Sequence, residues 1–366
     1  MSELILAAAR DVDQLPTRLD AELLVSTLLG RWYVRSQPDR AEALNALAGQ
    51  LAERVAGQDT EPARRMHALL TESGEVEPTG GYAYGDRYGD QTGYVVTFAY
   101  PDADQGGPEH AVVLVVDHTL GLVRDIVIVA PASAVLDQLS ADADEMTWSA
   151  PLDPGAVRVA ADAYLRATDL AEELPDTGSL VDNRWLAGRR LAMIPAPPAS
   201  AEDAGTPERD ELLGQFMESP EARLSGLARA SGAQGEAVGF ALGLCVDFAA
   251  TRGGDPLRWS PRAVEAFLLD WVHQRAVLDD RDAAALPDVL AAWVSWAGRR
   301  VGLPEPAVDA TLDRIDALRP EFARLAATGE RQSPAVRATA QLVAEGVDLA
   351  DPAAVEEWLA SYNANH

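Results

Sequence analysis

The chain has 366 residues, 48% hydrophobic and 24% charged, with 58 acidic residues against 30 basic ones and a net charge of −28. This is globular composition with room for two cores, and it excludes disorder as the main state. The charge balance argues against binding nucleic acid or an anionic membrane surface, both of which need clustered cations. The basic runs Gly188-Arg189-Arg190 and Gly298-Arg299-Arg300 are too short to supply them.

An acidic surface suits solubility, a basic protein partner, or mimicry of a nucleic acid. Every basic residue is arginine, so Schiff-base and P-loop lysine chemistry is excluded. The lone cysteine, Cys245, sits in the apolar run "FALGLCVDFAA" and reads as a buried small hydrophobe. It rules out an intrachain disulfide and a Cys-based zinc cluster. The start "MSELILAAARDVDQL" lacks the pattern of a signal peptide, and no apolar run is long enough to span a membrane. A reducing cytoplasm is the expected compartment.

In chain order, residues 1–75 read as helices. Leu23, Leu24, Leu28 and Trp32 recur at helical spacing in 18–33, and Leu44, Leu47, Leu51 and Val55 do so in 40–56. A third helix ends at Gly74. The pattern then changes to β-branched and aromatic runs at 93–100, 110–117 and 122–129, the last two joined by "HTLG" with Gly121 suited to a left-handed turn position. These predict an antiparallel sheet of three or four strands over about 81–130, followed by a short helix at "APASAVLDQL". Asp153-Pro154, Ser219-Pro220, Ser260-Pro261, Ser333-Pro334 and Asp351-Pro352 each read as a helix start. In each, the side chain caps orphan amides and proline occupies the first helical position.

Residues 194–210, rich in proline, alanine and acids, read as a linker. Beyond it the chain reads as all helix, with Val264, Phe267, Leu268, Trp271 and Val272 on one face, and Leu290, Trp293, Val294 and Ala297 in a helix ending at Gly302. The expected fold is α+β, with an α+β domain over 1–193 and an all-α domain over 211–366.

Candidate chemistry concentrates at 81–100, where five of the eight tyrosines lie and Tyr-Gly-Asp occurs twice, at Tyr84-Gly85-Asp86 and Tyr88-Gly89-Asp90. Asp86 and Asp90 are candidate cation ligands and the tyrosines candidate stacking groups, but the spacing is not that of an EF-hand loop. The structural reading, tyrosines on a half-exposed sheet and Asp at turns, accounts for the same residues. His110 and His118 share a strand face about 27 Å apart and cannot share a metal within one straight strand. A rim site would need Glu109 and His110 joined by Asp86 or Asp90. The candidate ligand residues are therefore Tyr84, Asp86, Tyr88, Asp90, Glu109, His110 and His118. No catalytic residue, metal ligand set or cofactor is assigned, and the P-loop, nucleophile-elbow, zincin and dinucleotide fingerprints are absent.

The segments "YGDRYGDQTGYVVTFAYP…EHAVVLVVDHTLGLVRDI" and "PLRWSPRAVEAFLLDWVHQR…LPDVLAAWVSWAGRRVGLP" resemble uncharacterised proteins of actinobacteria. The second is also similar to helical regions of plasmid ORF-3-like proteins of that group. The resemblance covers about a third of the chain, implies a bacterial cytoplasmic protein, and brings no activity, cofactor or catalytic residue with it. The expected function is a non-enzymatic interaction or regulatory protein with an acidic surface for a basic partner. The alternatives are a hydrolase-like or ligand-binding site at the sheet rim, and a nucleic-acid mimic.

Overall fold

In the computed structural model, which describes residues 2–32, 39–72, 74–141, 144–171, 178–195, 209–251, 255–347 and 351–365, the chain begins with α1 (Ser2–Asp13), α2 (Arg18–Trp32), α3 (Arg40–Ala56) and α4 (Glu61–Thr71). The buried positions of α2 include Leu19, Glu22, Val25, Ser26 and Leu29. The expected stripe of Leu23, Leu24, Leu28 and Trp32 is only half-buried. The cause is that α2 is covered on two sides. Leu19 packs toward the sheet, while Val25 and Leu29 pack among α1, α3 and α4. Such a helix has no single apolar stripe to read.

The strands are β1 (Glu77–Asp86) and β2 (Gln91–Ala99), then, after the short α5 (Ala103–Gly106), β3 (His110–Asp117) and β4 (Leu122–Val129), and finally, after α6 (Ser133–Ala141), β5 (Thr147–Pro151). They form one antiparallel sheet in the order β4-β3-β2-β1-β5. The α+β expectation holds, but the sheet is wider than the pattern suggested. The first Tyr-Gly-Asp copy is itself strand, and β5 pairs with its outer edge. Gly80, Gly81 and Gly85 in β1, and Pro151 in β5, are types that strands disfavour, which hid both elements. Gly121 takes the expected left-handed conformation, φ 68°, in the β3–β4 turn.

α7 (Pro154–Leu170) and α8 (Gly178–Ala192) pack with α2 on one sheet face. Val157, Ala161, Leu165, Leu180, Ala187 and Leu191 meet Val96, Phe98, Val112, Leu114 and Val116 there. On the other face Val95, Ala111, Val113 and Ala132 form a smaller cluster, with Tyr82, Tyr84, Val127 and Leu139 packed against it.

The chain divides into two units, residues 1–203 and 204–366. Within the expected linker, residues 196–208 lie outside the described residues. The second unit is helical: α9 (Arg209–Met217), α10 (Pro220–Leu224), α11 (Gly232–Thr251), α12 (Pro261–Ala266), α13 (Val272–Arg275), α14 (Asp280–Val301), α15 (Glu305–Thr328), α16 (Pro334–Ala344) and α17 (Pro352–Asn365). A π-helical turn, Phe267–Trp271, joins α12 to α13. Its core holds Phe216, Cys245, Phe248, Trp259, Phe267, Trp293 and Phe322. The Cys245 thiol is fully buried, and burial pushes its pKa up, away from reactivity. All five expected Ser/Asp-Pro caps form: Asp153, Ser219, Ser260, Ser333 and Asp351 each accept from amides of the first helical turn. No helix among the described residues is long and apolar enough to cross a membrane.

Candidate functional site

The sheet register separates the expected rim residues. Gln91 lies opposite Asp117, and Phe98 lies opposite His110. The β1–β2 turn with Asp86, Tyr88 and Asp90 therefore sits beside the β3–β4 turn with His118, where the Asp90 carbonyl accepts from the His118 amide at 2.9 Å. His110 begins β3 at the opposite end, with Glu109 just before it. The length of β3 thus stands between the two groups, and no site joins them.

Each candidate has a local role. The Asp86 carboxylate accepts from the Asp90 and Gln91 amides at 3.2 and 2.8 Å, and its carbonyl accepts from Trp148 Nε1 at 3.2 Å. That is the turn-capping use of Asp. Tyr88 and Asp90 are half-buried in the same turn. Tyr84 lays its ring over Gly93, its cross-strand partner. The His118 ring bridges Tyr164 Oη at 3.0 Å and Thr92 Oγ1 at 2.8 Å, edge-on to the Tyr164 ring. Glu109 is exposed and accepts from Thr79 Oγ1 at 2.5 Å. Among the described residues, no group of three or more His, Cys, Asp or Glu is placed to hold a metal.

His110 belongs to a different constellation, where the helices meet the sheet. Arg190 of α8, Glu22 of α2, Tyr100 just after β2 and His110 of β3 are all buried, and Arg190 and His110 have no exposure at all. Arg190 Nε donates to His110 Nε2 at 3.1 Å. Its Nη2 donates to Tyr100 Oη at 2.5 Å and also to Glu22. Tyr100 Oη donates to Glu22 Oε2 at 2.6 Å, and Arg18 Nε reaches the other carboxylate oxygen at 2.9 Å. The Gly188-Arg189-Arg190 run is thus no basic patch. Arg190 is interior, and Arg189 lies over the Trp185 ring while donating to the Leu69 and Leu70 carbonyls.

Electrostatics follow from burial and from this pairing. Burial works to raise the Glu22 pKa, but Arg190 and hydrogen bonds from Tyr100, Arg18 and Arg190 outweigh it and hold the carboxyl below its ordinary value. Burial, opposed by Arg190 and reinforced by Glu22, pushes the Tyr100 phenol up, so it stays protonated. His110 is pulled down to about 4, first by burial and then by Arg190, with the nearby Pro108 carbonyl opposing weakly. Among the described residues, Nδ1 of His110 and Nη1 of Arg190 make no hydrogen bond of normal geometry.

This cluster holds one ionised carboxylate between two guanidiniums, with a neutral imidazole and a neutral phenol alongside. Nothing in it is poised as a base near neutral pH, so its chemistry is that of a fixed charge array. Tyr100 and Arg18 carry it outward, because both also line an adjacent open cleft. Sequence reading placed His110 among the candidates but missed Glu22, Tyr100 and Arg190. No sequence signal marked Glu22, because α2 is covered on two sides and has no single apolar stripe to show which face it lies on.

No family model, no curated protein and no solved structure matches the chain.

Proposed function

We propose that this is a non-enzymatic interaction or regulatory protein that receives a basic protein partner on its acidic surface. The observation that carries the reading is a row of carboxylates on α15. Glu305, Asp309 and Asp313 are exposed and recur every four residues, so they share a helix face. None of the three is ion-paired among the described residues. The arginines of the same helix are engaged with other acids: Arg314 with Glu265, Arg319 with Asp288 and Asp316, and Arg324 with Glu321 and Glu330. The background field agrees in sign, since residues 1–203 hold 33 acids against 15 arginines and residues 204–366 hold 25 against 15.

Mimicry of a nucleic acid fits the row less well. Four helical residues rise about 6 Å, so the row offers one charge per 6 Å, against about one per 3.4 Å along a single DNA strand. A basic protein surface tolerates the sparser spacing. The reading also keeps the protein in the cytoplasm, which cell fractionation would check.

The test is affinity capture from cell lysate with three forms: the intact chain, Glu305→Gln/Asp309→Asn/Asp313→Asn, and the equally neutralised control Asp11→Asn/Glu53→Gln/Asp137→Asn. A stoichiometric basic partner should be held by the intact chain and the control, lost from the α15 variant, and released as salt rises. Equal retention by all three forms, or no partner, would reject the reading.

A further inference from the structure

A cleft of about 570 Å³ lies between the start of α2, the side of α4 and the segment from Tyr100 to Gly106. Its volume is that of a small-molecule site. The charged lining is mixed. Arg18 and Arg65 come from the two helices, and Glu75, Asp102 and Asp104 come from loop segments and the short α5. The Tyr100 hydroxyl is already engaged by Glu22 and Arg190, so Tyr100 offers the cleft its ring rather than a free polar group.

Both guanidiniums are anchored from behind. Arg18 donates Nε to Glu22 and Nη2 to the Glu72 carbonyl, each at 2.9 Å. Arg65 donates Nη1 to the Asp13 carbonyl at 3.0 Å and Nη2 to the Leu15 carbonyl at 3.1 Å. A guanidinium has five N–H donors, so each keeps donors beyond these contacts. Anchoring removes rotamer entropy that a ligand would otherwise have to overcome. For Arg18 the anchor is Glu22, itself locked by Arg190 and Tyr100, so the buried cluster fixes one wall of the cleft.

The charge pattern selects the ligand class. A simple anion would meet three carboxylates on a chain of net charge −28. A simple cation would meet two fixed guanidiniums. A molecule bearing both charges has a partner for each. We propose that this cleft binds a small zwitterion, an α-amino acid or short peptide, with its carboxylate on Arg18 and Arg65 and its ammonium on Asp102, Asp104 and Glu75. The inference is independent of the acidic row on α15, which lies in the other unit.

Ligand-observed NMR and calorimetry on the full chain test it. The probes are the common α-amino acids and diglycine, with acetate, methylammonium and inorganic phosphate as single-charge controls. At least one zwitterion should bind, with every control about tenfold weaker or more. Arg65→Gln and Asp104→Asn should each weaken that zwitterion by about tenfold or more. Asp104 is exposed and not a helix cap, so its variant keeps the fold even where Arg65→Gln does not. Binding of no zwitterion, equal binding of phosphate or methylammonium, or unchanged affinity in both Asp104→Asn and Glu75→Gln would overturn the proposal.

Discussion

Arg190 donates its Nε–H to Nε2 of His110 at 3.1 Å, deep inside the first unit. Because a guanidinium is only ever a donor, this contact fixes the protonation of the histidine. Nε2 must present its lone pair, and the ring proton sits on Nδ1. A second proton would place an imidazolium against a guanidinium in a buried site.

That relationship sets an acid limit on stability. His110 titrates near 6.5 in the unfolded chain and at about 4 in the fold. The unfolded chain therefore binds more protons between these values. The stability His110 contributes is fully present above pH 6.5 and is lost as pH falls toward 4, to a limit of about 3 kcal/mol. Glu22, also held below its ordinary value, adds a loss at the lower end of the acid range. The His110 ring resonances should titrate near pH 4 by NMR. In urea unfolding, the fall in stability from pH 7 to pH 5 should exceed that of His110→Gln by about 2 kcal/mol. A ring midpoint near 6.5 would mean the Arg190 contact is not made in solution.

The same cluster predicts an asymmetry between breaking and replacing a buried ion pair. Glu22→Gln keeps an acceptor for Tyr100 but leaves Arg190 and Arg18 without their counter-charge. It should cost about 3–5 kcal/mol, because a buried guanidinium is then uncompensated. The double variant Glu22→Leu/Arg190→Met removes both charges and should cost clearly less than the sum of its single changes. Denaturant midpoints for the four forms complete the cycle. Additive costs would show that the two residues do not act as a pair.

What the sequence revealed, and what it hid, follows the range of the forces involved. Asp153, Ser219, Ser260, Ser333 and Asp351 were legible because a cap needs only its own side chain, the next proline and amides two or three residues on. Asp86 was legible as a turn residue for the same reason. Leu290, Trp293, Val294 and Ala297 were legible because they recur at helical spacing, and all four are buried in α14. The Glu22, Tyr100, His110 and Arg190 cluster was not, since its members come from three elements and the segment after β2, and meet only once the sheet packs on α2 and α8. Taken singly, Glu22 reads as an ordinary helix acid and Arg190 as half of a basic pair. β1 was obscured by its glycines, whose purpose appears only across the strand pair.

Gly93, on the facing strand β2, shows a purpose of the same kind. It faces Tyr84 in the β1–β2 register, and a Cβ placed on it would lie 2.1 Å from two atoms of the Tyr84 ring. No real contact is that short, so Gly93→Ala must lift the ring from the sheet and uncover the side that holds Val95 and Val113. An aromatic ring laid over a strand glycine offsets the weakness that the glycine brings. Gly93→Ala should therefore destabilise by about 1–3 kcal/mol, the usual cost of overpacking. In a Tyr84→Ala background the clash is gone and alanine loses less backbone entropy than glycine, so the same change should be neutral or stabilising. Thermal or denaturant unfolding of the four forms measures the coupling. Strong coupling assigns Tyr84 to packing. Additive effects would mean that the ring does not rest on Gly93 in solution, and Tyr84 would return as a ligand-facing residue of the Tyr-Gly-Asp turn.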